Sequence, residues 1–184
     1  MLETVIGYLQ HNSNKIISRL MDLFILPFEN KEMTWVIVPV VLTILIMQFY
    51  FFKNRNEELG WNTAIANSLV LMFIAADLFR FLYNKNLLSL SNPGSNDFSL
   101  TVLVSIVLVE GLLMFFMDFS HVWPKFMAFR FSSHLTINLM AYTAIVLVYG
   151  DIPINMFTII AAIIFFILVN MFFFIPRILF HSKY

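Results

Sequence analysis

The sequence predicts an all-α integral membrane protein, a bundle of five transmembrane helices preceded by an amphipathic interfacial N-terminal helix. Three observations predict it. The chain is 60% hydrophobic and 12% charged, against roughly 25% charged residues in an average soluble domain. Its mean hydropathy is +0.85, and twenty-two phenylalanines and eleven methionines in 184 residues are too many for one soluble core of this size. Five apolar runs, separated by short polar turns, are each about twice the length of a barrel strand. In lipid only helices or closed barrels satisfy the backbone, so runs of this length are helices.

Residues 1–30 read as the interfacial helix. Ile16, Ile17, Leu20, Met21, Phe24 and Phe28 recur at three- and four-residue steps, with Lys15, Ser18, Arg19 and Asp22 between them. The apolar stretch is too short for a hydrocarbon core about 30 Å thick, and an amphipathic helix in the interface fits it. The alternative is a helix that packs on the bundle without meeting lipid. Glu3 stands where a signal peptide would carry basic residues, so the first crossing is expected to act as an uncleaved signal anchor.

The first crossing covers about 33–52, with Pro39 near its start, and ends in the charged turn 53–58. The second covers 61–83, with an aromatic at each end as interfacial anchors require. Ala64 and Ser68 give it a face of small residues for close packing. The turn-forming run 90–97 leads to the third crossing, 98–120, which Trp123 and Pro124 close. The fourth covers 132–149, with Gly150 suited to the C′ position. Asp151-Ile152-Pro153 restarts the chain as the fifth, 154–175, before a short basic tail at 177–184.

Orientation follows from the basic residues. Lys53, Arg55, Lys125, Arg130, Arg177 and Lys183 fall on one face, and Lys85 is the loop base of the other. The loops therefore place the C-terminus in the cytoplasm, although Lys15, Arg19 and Lys31 pull the other way. Zero net charge and scattered basic residues leave no footprint for nucleic acid. The expected partners are the lipid bilayer and either further copies of the chain or other membrane subunits. With no cysteine, disulfides, thiolate metal sites and iron–sulfur clusters are excluded. No metalloprotease, hydrolase or nucleotide-binding signature is present, so no catalytic residue, metal or cofactor is expected. His121 and His134 lie on one side and are the pair that haem ligation would need.

The polar groups fall at unequal depth. Asp118, His121 and His134 sit at or just inside the basic face; Gln48, Asn67, Asn138 and Asn170 lie about 6–10 Å in, and Glu110 and Tyr142 about 15 Å in. The other half is apolar until Asp77 and Arg80, spaced to pair at the far interface. Glu110 stands alone in the most hydrophobic run of the chain, and a carboxyl near the midplane is a functional-site hypothesis by default. Glu110, Met114, Asp118 and His121 share one helical face, as do His134, Asn138 and Tyr142. Facing each other, these stripes would line a one-sided polar vestibule ending at Glu110 and Tyr142. The acids form no direct relay, because Asp118 and Glu110 are about 12 Å apart along the axis.

Two functions suit this pattern. The first is a channel or transporter, or a subunit of one, with Glu110 as its proton- or cation-responsive group and Tyr142, Asp118, Asn138, His121 and His134 as its neighbours. The second is a non-catalytic structural or assembly subunit of a membrane complex. There the polar layer is glue between helices, and Glu110 is neutral and donates a hydrogen bond to Tyr142 or a carbonyl.

Overall fold

A computed structural model describes residues 12–54 and 59–179, the last five of these by backbone alone. The start of the expected interfacial segment, the charged turn at 55–58 and the end of the basic tail lie outside the described residues. Those described form helices and turns: α1 Ser13–Glu29, α2 Lys31–Lys53, α3 Trp61–Asn84, α4 Asn96–Phe119, α5 Lys125–Phe131, α6 His134–Tyr149 and α7 Met156–Leu179. Five spans are long and apolar enough to cross a membrane: α2, α3, α4, α5 with α6, and α7. The short helix α5 occupies residues that the sequence reads as a turn.

Local chemistry sets the helix ends. Asn30 Oδ1 accepts the Glu32 and Met33 amides at 3.0 and 3.1 Å, satisfying two orphan donors at the start of α2. Ser95 and Ser133 cap α4 and α6 in the same way through the Phe98 and Thr136 amides. At the other ends, α3, α4 and α6 each close with an amide reaching five residues back: Leu87 to Leu82, Val122 to Met117 and Ile152 to Leu147. These Schellman closures need a left-handed residue. Asn86, His121 and Asp151 supply it, with φ of 57°, 52° and 48°. Asn, Asp and His are the non-glycine residues that tolerate this region best.

Gly150 is therefore not the C′ residue that its position suggests, since its φ is −85°. Its small size serves packing. An added Cβ would lie 2.9 Å from Leu26 Cδ1 of α1 and 2.7 Å from the Val146 carbonyl.

The core is built around α6. From Ile137 to Tyr149 nearly every residue of α6 is buried, as expected for a helix apolar on all sides. α2 and α3 flank it, and α1 crosses near its end, where Asn30 Nδ2 donates to the Tyr149 carbonyl. α3 and α4 form the most extensive helix pair. Ala64 and Ser68 are fully buried on α3, and a Cβ on Gly111 of α4 would come within 3.2 Å of the Met72 amide. Small residues here let two backbones approach closely. α7 lies chiefly against α1 and meets α6 along a short stretch. The outward faces of α2, α4 and α7 are apolar and exposed, with Phe49, Phe116 and Phe172 among them.

Candidate functional site

Asp118 lies in the last turn of α4 and is fully buried. Trp123 Nε1 donates to its Oδ1 at 2.8 Å, and Ser132 Oγ donates to its Oδ2 at 2.6 Å. The Ser132 carbonyl, one of the groups that a helix C-terminus leaves without an internal partner, accepts from Asn67 Nδ2 at 2.6 Å. One carboxyl thus ties the end of α4, the turn after it, the α5–α6 junction and α3. A buried polar cluster satisfied this fully rigidifies its surroundings. Trp123 and Ser132 carry no spacing signal in the sequence, because only the Schellman turn and the unexpected α5 bring them to Asp118.

Tyr142 is buried on α6, and its hydroxyl donates to the Leu23 carbonyl of α1 at 2.8 Å. The cause is Pro27. In a helix the Leu23 carbonyl would accept from the amide of residue 27, and proline has none. A signal for this bond was present: a proline inside an amphipathic helix frees the carbonyl four residues earlier. The Tyr142 ring stacks on Phe165 of α7 at 5.3 Å between centroids, so Tyr142 joins α6, α1 and α7.

The two polar stripes are not brought face to face. α4 packs along α3 and touches α6 only briefly, and Tyr142 is turned towards α1. His121 leaves its stripe because α4 ends at Phe119. Beyond the helix, its left-handed backbone carries the ring over Trp61, 4.2 Å between centroids. Asn138 is buried, and its Nδ2 donates to the carbonyl of His134 on its own helix at 2.7 Å. Asn170 does the same with Phe166.

Glu110 sits a little past the middle of α4, half-buried, between the packed positions Val107, Gly111 and Met114 and the exposed Ile106, Val109 and Leu113. Its carboxyl has no hydrogen-bonding or charged partner among the described residues. Among the described residues it is the polar group at depth whose needs go unmet.

At the opposite end, Arg80 Nη2 donates to Asp77 Oδ1 at 2.6 Å, and Tyr149 Oη donates to Asp77 Oδ2 at 2.9 Å. The pair of α3 is thereby fastened to the end of α6, with Tyr149 stacked on Phe81 at 3.9 Å. His134 stands beside Phe51, and both ring nitrogens are buried without a hydrogen-bond partner among the described residues. Among the described residues no three histidine or carboxylate side chains gather into a metal-binding group. No protein family, curated protein or solved structure matches this chain.

Proposed function

We propose that the chain is a multi-pass membrane protein with a cytoplasmic C-terminus, acting as a non-catalytic assembly subunit that docks onto further copies of itself or onto other membrane subunits. The observation that carries this reading is the division of its polar groups. Asp118, Asn67, Tyr142 and Asp77 close bonds between elements of the same chain. Among the described residues Glu110 alone of the deep groups has no partner, and it borders an apolar exposed face. An intramembrane carboxyl is costly unless a donor meets it, and a second helix laid on that face would supply one. The apolar part of α1 is too short to span; α1 leans on the bundle through Ile16, Leu23 and Pro27 and turns Ile17, Met21 and Phe28 outward as an exposed apolar stripe.

The same isolated carboxyl also favours a second reading, in which Glu110 binds a proton or a monovalent cation within a conducting assembly. Substituting Glu110 separates them. For a docking group, Glu110→Gln keeps the assembly and Glu110→Leu weakens it, as read by native mass spectrometry and cross-linking in membranes, with no ion flux in proteoliposomes from any variant. Proton or cation flux in the parent that Glu110→Gln abolishes, with assembly intact, would replace the docking function by transport.

A further inference from the structure

An open cleft of about 1110 Å³ lies where the ends of α2 and α7 meet α5 and the start of α6. It exceeds the roughly 300–1,000 Å³ of ordinary small-molecule pockets, and its lining is sorted by chemistry. Lys125 and Arg130 supply two exposed cations that make no ion pair among the described residues. No acidic residue lines it; Glu57 and Glu58, which precede its Leu59 in the chain, lie outside the described residues. His134 forms part of the wall, with both ring nitrogens buried. The remaining wall carries six phenylalanines, Phe126, Phe129 and Phe173 among them, interspersed with uncharged polar side chains such as Gln48 and Asn170.

We propose that this cleft holds one anionic phospholipid of the surrounding bilayer, its phosphate on Lys125 and Arg130 and its acyl chain along Phe126, Phe129 and Phe173. Basic pockets between membrane helices on the cytoplasmic side are suited to such head groups. A soluble anion would use the two cations and leave the aromatic wall in water. A lipid uses both. The cleft's flanking surface is also suited to lipid, since Phe49 and Phe172 stand exposed on α2 and α7.

The test is native mass spectrometry of the purified full chain, titrated with phosphatidylglycerol and with phosphatidylcholine of identical acyl chains. The parent is expected to prefer the anionic lipid about twenty-fivefold, two cations each contributing about fivefold. Lys125→Gln/Arg130→Gln should bring the two lipids to near-equal affinity, and both side chains are exposed, so the fold should tolerate the change. Lys53→Gln removes a base from the same end of α2 without touching the cleft lining, and should leave the preference intact. Equal affinity of the parent for both lipids overturns the proposal, as does a preference that survives the double substitution. Glycerol phosphate that binds as tightly as the lipid would assign the site to a soluble anion instead. A dimer whose formation excludes lipid would assign it to a second copy.

Discussion

At the scale of single residues, Glu110 and Asp118 of α4 have opposite surroundings although eight residues separate them on one helix. Asp118 has both oxygens engaged by donors within the chain, and Glu110 has neither engaged among the described residues. Proximity in sequence therefore says little about role; what decides is which neighbour the fold delivers. Replacing Asp118 by Ala would leave the buried Ser132 donor and the part-buried Trp123 donor unpaired, at about 1–3 kcal/mol each. A loss of about 3 kcal/mol is expected for Asp118→Ala in detergent unfolding followed by circular dichroism. Asp118→Asn keeps an acceptor for Trp123, and the Ser132 hydroxyl can turn to accept from the new amide, so about 1 kcal/mol is expected. Equal tolerance of both substitutions would remove Asp118 from the structural framework. The isolation of Glu110 in an apolar run was visible in the sequence, since residue type and depth fix it. The partners of Asp118 were not, because they depend on how two turns fold back.

At the scale of elements, the five apolar helices were legible because hydropathy and the demand for backbone hydrogen bonds in lipid leave little choice over lengths of this size. The ends were less so. Schellman closure passes over Gly150 and places Asp151 in the left-handed region, and α5 forms between two helix breaks where sequence polarity suggested only a turn. The rotation of each helix was least legible. An apolar-all-round helix such as α6 has no polar face to orient it, so which stripe meets which is set by packing of Gly111, Ser68 and Gly150. The α1–α6 contact can be tested by a double-mutant cycle on Pro27 and Tyr142. Tyr142→Phe alone leaves the Leu23 carbonyl without a donor, at about 1–2 kcal/mol. In a Pro27→Ala background the helix supplies its own amide to that carbonyl, and the same substitution should cost a few tenths of a kcal/mol. Equal costs in the two backgrounds would show that the proline does not create the need that the tyrosine meets.

At the scale of the whole molecule, α7 depends on a helix that does not itself cross the bilayer in the proposed arrangement. Its main neighbour is α1, through the Phe24–Phe165 edge contact at 5.0 Å and the Lys15 ammonium over Phe157 at 5.0 Å. The bundle thus divides into a firm set, α2, α3, α4 and α6, and a pair, α1 with α7, laid against it. Elements joined to the rest by few contacts open as units at low free energy. Leu23, 1% exposed, packs at the centre of the joint beside the carbonyl that Tyr142 holds. Leu23→Ala is expected to weaken the joint by about 3 kcal/mol, which corresponds to about a hundredfold larger open population. In hydrogen exchange of the protein in lipid nanodiscs, amides of α1 and α7 should speed up together by about that factor, while those of α3 and α4 keep the rates of the parent. Acceleration confined to α1 would show that α7 is held by something other than α1. A uniform change across all helices would show that the chain opens as a single cooperative unit, and the division into a firm set and a hinged pair would fall.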